Sequence, residues 1–254
     1  MPKSHERLVE DQFGPRAAAY VSSAVHANGE DLDALEAIIA AAKPASAIDL
    51  GAGGGHVAYR MSPHAGVVTA VDLSTEMISA IGATAASREL KNIETAAAPA
   101  ERLPFGDGRF DFLGCRFSAH HWRDFDGGLR EARRVLKAGS AAVFIDGCSP
   151  GAAMLDTHLQ AVELLRDMSH VRDYTLAEWC AALNQTGFVV RAMRSWRLRM
   201  AFDQWIARMQ TPEENVRAIR LLQSAASDSV KAHFSIEVDG SFMLDTMMIE
   251  AVAA

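Results

Sequence analysis

Ile48-Asp49-Leu50-Gly51-Ala52-Gly53-Gly54-Gly55-His56-Val57 is the stretch that decides the fold. Ala47 to Leu50 reads as a short buried strand that runs directly into glycines. Glycine permits positive φ and leaves no Cβ between the backbone and a bound molecule. A helix starting just beyond such a turn points its free N–H groups at whatever fills it. Working outward, Val67 to Val71 is a second strand that ends at Asp72, followed by a helix through Met77, Ile78 and Ile81. Phe110 to Phe117 is a strand after the Gly106-Asp107-Gly108 turn, Leu129 to Leu136 is helical, and Ala141 to Ile145 is a strand after a turn at Gly139. Strands alternating with helices, with strands that are apolar almost throughout, predict a parallel sheet covered on both faces. The expected fold is α/β, a doubly wound and mostly parallel seven-stranded sheet with helical lid segments.

The flanks are looser. Phe13, Ala17, Tyr20, Val21 and Ala24 recur near the helical period after a break at Gly14-Pro15. A second helix is expected from about Asp33, where Asp33 and Glu36 have capping-box spacing, to Lys43 before Pro44. Ala152 to Met168 looks helical, and Thr175 to Asn184 is a helix boxed by Thr175 and Glu178 and stopped by Gly187. Phe188 to Met193 and Phe242 to Ala251 are strands, and Thr211-Pro212-Glu213-Glu214 opens one more helix. One domain, 1–254, accounts for this, with 1–44 as N-terminal cap helices, 45–150 as the core and 151–254 as the C-terminal half. Segments 1–44, 151–174 and 197–232 are expected over the ligand edge.

Composition narrows the function. The chain has 254 residues and a formal net charge of -7, with its basic residues spread out. Such a surface repels a polyanion, so no nucleic-acid partner is expected. Cys115, Cys148 and Cys180 are odd in number and widely spaced, which is neither a disulfide framework nor a metal-ligand spacing. No apolar run is long enough to span a membrane, and Met1 to Asp11 is polar and charged, unlike a secretory signal. A cytoplasmic protein acting on a small molecule is the expectation, and a homodimer is compatible with it.

A strand, a glycine turn, a helix, a strand and an acid is a layout shared by nicotinamide-binding folds. Two residues separate the readings. The dinucleotide fingerprint needs glycine or alanine where this chain has His56. Asp49 also sits inside the first strand, where a buried carboxylate is costly unless it finds donors such as loop amides or a ligand ammonium. S-adenosylmethionine offers an α-ammonium and a carboxylate there and carries no phosphate. Asp72, at the end of the next strand, can accept from both ribose hydroxyls. The alternative is a tight turn with Asp72 capping its helix.

Several motifs together resemble class I S-adenosylmethionine methyltransferases, specifically the ubiquinone/menaquinone-biosynthesis C-methyltransferase-like group. Ile48 to Gly55 resembles the family's first motif, and Val71-Asp72-Leu73-Ser74-Thr75-Glu76-Met77 its second. Ala100-Glu101-Arg102-Leu103-Pro104-Phe105 with Phe110-Asp111 resembles the third, and Arg134-Val135-Leu136-Lys137-Ala138-Gly139 the entry to the fifth strand. The resemblance covers about 48–146 and is nearly silent on substrate. It implies S-adenosylmethionine as cofactor, held by Asp49, Gly51, Gly53, Gly55, Asp72, Leu73, Met77, Ala100, Glu101, Phe117 and Tyr20. Where the family usually has an aspartate before the Ala-Glu pair this chain has Pro99. Adenine would then rest on backbone groups around Ala98 to Glu101 and on Leu73.

Methyl transfer from a sulfonium depends mostly on alignment and needs a base only when the acceptor arrives protonated. Phe117-Ser118-Ala119-His120-His121-Trp122 follows the strand at the carboxyl edge, where open α/β sheets bind ligands. His120, His121 and His26 are the candidate catalytic residues, His120 ahead of His121. The bland reading is a helix cap and a solvated ring. On the N-terminal helix Phe13 reads as core, while Tyr20, Ser23 and His26 could reach the pocket. Arg166, His170 and Arg172 could receive an anionic acceptor, or form a surface ion-pair network with Asp167 and Asp173. Trp122 is the tryptophan placed near a ring-shaped substrate, Cys115 and Cys148 read as small core residues, and Asp146 as a polar pocket residue. The leading function is transfer of a methyl group to a modest-sized, aromatic or anionic acceptor. The rivals are a non-catalytic cofactor-binding or scaffold protein and a nicotinamide oxidoreductase.

Overall fold

The computed structural model describes residues 4–17 and 28–254. Its frame is one seven-stranded sheet made of β1 (Ser46–Leu50), β2 (Val67–Asp72), β3 (Ile93–Ala97), β4 (Phe110–Arg116), β5 (Leu136–Gly147), β6 (Phe188–Met200) and β7 (Phe242–Ala253). The strand order is β3-β2-β1-β4-β5-β7-β6, with β7 antiparallel to both neighbours and the rest parallel. The order reverses between β1 and β4, and an open sheet of this kind leaves a crevice there beyond the strand ends.

Side chains alternate across the sheet because strand residues point to opposite faces in turn. Ile48, Leu50, Leu113, Cys115, Phe144, Met247 and Ile249 join one core. Ala47, Phe112, Val143, Ile145 and Met248 join the other. The first face is covered by α5 (Phe125–Val135) and α7 (Leu176–Gln185), through Leu129, Trp179 and Leu183. The second is covered by α2 (Glu30–Ala42), α3 (His56–Met61) and α4 (Thr75–Ser87), through Leu32, Leu35, Ile39, Val57 and Ile81. Both faces being buried explains the near-continuous apolar strands. Leu35 has no exposed surface, and truncating such a side chain to alanine typically costs about 2–5 kcal/mol.

A third core lies outside the sheet layers. Here α6 (Ala153–Arg166), α8 (Phe202–Met209), α9 (Glu213–Ala225) and α10 (Asp228–Phe234) bury Leu159, Val162, Trp205, Ile219 and Phe234 against Phe242 and Leu244. A short helix, α1 (His5–Phe13), precedes a single turn of 3-10 helix at Gly14–Arg16. Among the described residues no helix is long and apolar enough to cross a membrane.

Some local expectations need correction. β3 is an edge strand whose side chains are only partly covered, so the sequence shows no apolar run there like those of its neighbours. α1 shows none either, because its residues are mostly polar and none but the following Gly14 is buried. α2 begins at Glu30 with Gly29 in the cap position, and no side chain caps it. The Asp33–Glu36 box does not form because Asp33 already lies inside the helix, its amide bonded to the Gly29 carbonyl at 3.0 Å, and both acids meet Arg60. Thr211 likewise caps nothing: its hydroxyl donates to the Arg166 carbonyl at 3.0 Å, and Pro212 takes the cap position of α9. Residues 197–200 belong to the sheet, since β6 pairs with β7 as far as Met200↔Phe242. The Thr175–Glu178 capping box is present as expected, with bonds of 3.1 and 2.7 Å.

Candidate active site

Leu50 ends β1 and the chain turns through Gly51, Gly53 and Gly55, with φ of +73°, +51° and +80°. Gly51 and Ala52 donate their amides to the Val71 carbonyl at 2.9 and 2.8 Å, which ties the turn to β2. A Cβ on Gly51 would lie 1.8 Å from Ser118 Oγ, so the turn packs directly on the chain after β4. A Cβ on Gly53 would meet nothing within 4 Å. Its backbone faces the cavity lined by Asp49, Gly51, Gly53, Asp72, Leu73 and Met77 on one side and Pro99, Ala100 and Glu101 on another. Gly55 is off that wall; a Cβ there would strike the Tyr59 ring at 2.7 Å.

Two acids define this cavity. Asp49 is 1% exposed; its Oδ2 accepts from the Ala58 amide at 2.9 Å, while its Oδ1 has no hydrogen-bond partner. Burial raises its carboxyl to about 7, helped by the nearby Asp72 charge and opposed by the Ala58 amide. A buried carboxylate oxygen without a donor is costly, so a cationic donor in the cavity would fit it. Asp72 closes β2, with Oδ2 accepting from the Gly53 amide at 2.8 Å and Oδ1 from the Ser74 amide at 2.9 Å. Burial pushes this carboxyl upward as well. Each oxygen keeps a further lone pair, so Asp72 can brace the loop and still accept two donors.

α1 covers the opening. His5, Glu6, Val9 and Phe13 line it. His5 Nε2 donates to the His121 carbonyl at 2.8 Å, and the Phe13 ring meets the His121 ring edge-on at a centroid distance of 4.9 Å. Phe13 therefore faces the pocket, contrary to its reading as core. Tyr20, Ser23 and His26 lie outside the described residues.

Beyond β4 the chain turns at Phe117, a non-glycine residue at φ +51°. Such a conformation costs about 1–3 kcal/mol and persists only where the surroundings enforce it. A short turn at Ala119–His121 follows, and the two histidine rings lie against each other with centroids 4.2 Å apart while their nitrogens reach different partners. His120 Nδ1 is 2.5 Å from Asp146 Oδ1, and its backbone N–H is directed at Asp146 Oδ2 at 3.3 Å. Burial alone would lower this imidazole, yet the charge and hydrogen bond of Asp146, with Asp173 and Glu163 nearby, hold it up to about 9. His121 is pushed the other way, to about 4, by burial and by the charge on His120. Its Nδ1 is 3.1 Å from the Ser169 carbonyl. Only an N–H can pair with a carbonyl, so Nε2 of this neutral ring carries the lone pair.

These histidines face a second cavity that shares Phe13, Phe117 and His121 with the first. Its other walls are Leu198, Met200, Met209 and Leu244, with Glu163, Asp167 and Asp173 as buried acids and Arg166 and Arg208 as bases. Asp167 and Asp173 were visible only as neighbours of the basic cluster, and nothing in their local sequence shows that the fold turns them inward. Of the basic cluster only Arg166 lines this cavity, and its three members find separate partners. Arg166 meets Glu163 at 3.3 Å, Arg172 meets Asp156 at 3.1 Å, and the buried His170 donates from Nε2 to Gln160 Oε1 at 3.0 Å. Asp146 proves to be the partner that orients His120. Trp122 lines the first cavity, donates from Nε1 to Ser118 Oγ at 3.1 Å, and lies over Gly128, where a Cβ would come within 2.3 Å of its ring. Cys115 is buried in the core.

Residues 48–144 match a family model described as a methyltransferase domain. The chain is 41% identical to the uncharacterized protein YafE of Escherichia coli (strain K12) over 197 residues, covering 78% of this chain and 95% of that protein. It is 32% identical over 248 residues to the uncharacterized methyltransferase YcgJ of Bacillus subtilis (strain 168), covering 96% and 98% of the two chains. The chain belongs to the class I S-adenosylmethionine methyltransferase family. The crystal structure of YcgJ superposes on this methyltransferase with a TM-score of 0.82, covering 87% of this chain and 97% of that one at 31% identity. A shorter likeness links the methyltransferase to the demethylmenaquinone methyltransferase of Chlorobaculum tepidum, 33% identical over 109 residues, or 42% of this chain and 43% of that protein.

Proposed function

We propose that this methyltransferase transfers a methyl group from S-adenosylmethionine to a small-molecule acceptor seated in the second cavity. The observation that carries the reading is the shared wall: Phe13, Phe117 and His121 border both cavities, so a molecule in one lies beside a molecule in the other. In the first cavity Asp49 Oδ1 accepts from the cofactor's α-ammonium and the Gly51 to Gly53 backbone lies against its amino-acid tail. Asp72 accepts from the ribose hydroxyls. Leu73 and Met77 flank the adenine, with backbone groups from Ala98 to Glu101 at its edge, since Pro99 has no side-chain acceptor. When bound, the cofactor would supply a methyl carbon on a sulfonium sulfur, from which a neutral thioether is the leaving group.

The protein's own contribution is placement. α1 closes over the cleft and excludes water, and Phe117, held at positive φ, presents its ring at the junction. His121, neutral and with Nε2 as acceptor, can orient a donor on the substrate. His120, charged and locked to Asp146, sets the electrostatic field of the acceptor cavity. The likeness to quinone-biosynthesis enzymes covers about two fifths of the chain. It supports common cofactor chemistry. The acceptor cavity is built largely from 163–173, 198–209 and Leu244, beyond the residues matched by the family model.

Calorimetry with S-adenosylhomocysteine and with a nicotinamide dinucleotide tests the cofactor. Binding of the first alone is expected, and a tight response to the dinucleotide alone would end the proposal. Incubation with methyl-labelled S-adenosylmethionine and a fractionated metabolite extract tests turnover, with a labelled small-molecule product as the expected result.

A further inference from the structure

We propose that the second cavity receives its acceptor through a cationic amine held by the carboxylates of Asp167 and Asp173. The proposal rests on the methyltransferase reading above and adds the chemical class of the substrate. Four carboxylates, Asp146, Glu163, Asp167 and Asp173, lie within a few ångströms of the cavity or on its wall, none more than 6% exposed. Two have counter-charges in direct contact: Asp146 holds His120, whose charge also reaches Asp173, and Glu163 meets Arg166 at 3.3 Å. Arg208, also on the wall, has interactions of its own.

Each of the other two has a buried oxygen with no hydrogen-bond partner. Asp167 Oδ1 accepts from the Ser169 amide at 2.9 Å and from its hydroxyl at 2.7 Å, while Oδ2 is buried with no hydrogen-bond partner. The nearest ring nitrogen, His121 Nε2, is 3.9 Å away and carries a lone pair. Two acceptors at that separation need a donor between them. Asp173 Oδ2 is likewise buried and unpartnered, 3.9 Å from His170 Nε2, whose N–H goes to Gln160. Gly147 makes room for this carboxyl, since a Cβ there would lie 2.6 Å from Asp173 Oδ1. Buried carboxylates without donors must either take up a proton or meet a cation. Burial pushes Asp173 to about 8, which is the first outcome in the absence of ligand.

An ammonium group supplies both donors and charge. The side chains of Leu198, Met200, Met209 and Leu244 suit the carbon body of such a molecule, and the Phe13 ring on the wall can attract its charge. An anionic acceptor would face the unpaired acids. A metal ion fits less well. His120, Asp146 and Asp173 offer ligand atoms within 4.8 Å of one another. His120 Nδ1 and Asp146 Oδ1, however, are joined at 2.5 Å by a proton, which leaves no place for an ion between them.

The test is calorimetry on the full chain, with and without saturating S-adenosylhomocysteine, using benzylamine, benzyl alcohol and benzoate as probes of one carbon skeleton, and magnesium ion as a fourth. Benzylamine is expected to bind at least about tenfold more tightly than benzyl alcohol, the preference a charge-assisted hydrogen bond confers. Asp167→Asn and Asp173→Asn should each erode that preference while S-adenosylhomocysteine still binds. If Asp173→Asn fails to fold by thermal melting, Asp167→Asn carries the comparison. Equal affinity for the three probes, a preference for benzoate, no benzylamine binding at millimolar concentration, or magnesium binding that Asp173→Asn abolishes would each overturn the proposal. Failure of S-adenosylhomocysteine to bind would overturn the methyltransferase reading instead, since the benzylamine titration without it is read independently.

Discussion

Asp49→Asn separates a carboxylate that serves a ligand from one that merely serves the fold. Asparagine keeps the shape, and its carbonyl oxygen can still accept the Ala58 amide that Asp49 Oδ2 now accepts at 2.9 Å. What disappears is the charge on Oδ1, the oxygen without a partner. Losing a charge-assisted hydrogen bond to an ammonium should weaken S-adenosylhomocysteine binding by about 1.5–3 kcal/mol, roughly 10- to 150-fold. The pH dependence is sharper still. Burial raises this carboxyl to about 7 in the free protein, whereas a bound ammonium favours the ionised form. Below that pH the free protein must release a proton to bind, so affinity falls as the pH falls. The linkage amounts to about tenfold between pH 8 and pH 6. Calorimetry at pH 6, 7 and 8 and constant ionic strength measures it. A flat wild-type profile, or an asparagine variant that binds as tightly as wild type at pH 8, would refute the reasoning. A slope that persists in the variant would move its origin to Asp72, whose carboxyl is also raised by burial.

Asp72→Ala should cost about 1.5–3 kcal/mol in S-adenosylhomocysteine affinity, because it removes the acceptor for the ribose hydroxyls. It should also lower the melting temperature, since the Gly53 and Ser74 amides lose their partner. Gly51→Ala places a Cβ against Ser118 Oγ at a residue with φ +73°. It should lower stability by roughly 1–2 kcal/mol or more in denaturant titrations and weaken cofactor binding with it. Asp146→Asn should return His120 from about 9 toward or below its ordinary value, a change readable by NMR titration. The raised value stabilises the folded protein fully below about 6.5 and is lost as pH rises toward 9. Wild-type stability should therefore decline across that window relative to Asp146→Asn, and parallel profiles would contradict the pairing.

The cofactor half was legible because its signals are local. Ile48 to Gly55 forms the strand and turn expected of it, and Asp49 and Asp72 come to one cavity because parallel strands of one sheet end at the same edge. Phe110 to Arg116 and the strand after Gly139 were readable for the same reason, since a sheet buried on both faces demands apolar runs. Where burial is partial the signal fades, as at Ile93–Ala97 and at His5–Phe13. The capping pairs show the limit of spacing alone. Thr175 and Glu178 form their box, whereas Asp33 and Glu36, identically spaced, lie inside a helix that already starts at Glu30.

What the amino-acid order determined by itself is the doubly wound sheet and the glycine crevice with its two acids, since each follows from residues close together in the chain. Only the tertiary structure decided that His120 belongs to Asp146, that His121 stands between two cavities, and that Asp167 and Asp173 turn inward with oxygens unpartnered. Those relations join residues far apart in sequence, and neither the periodicity nor the composition of the segments that carry them records which way the packed chain will face them.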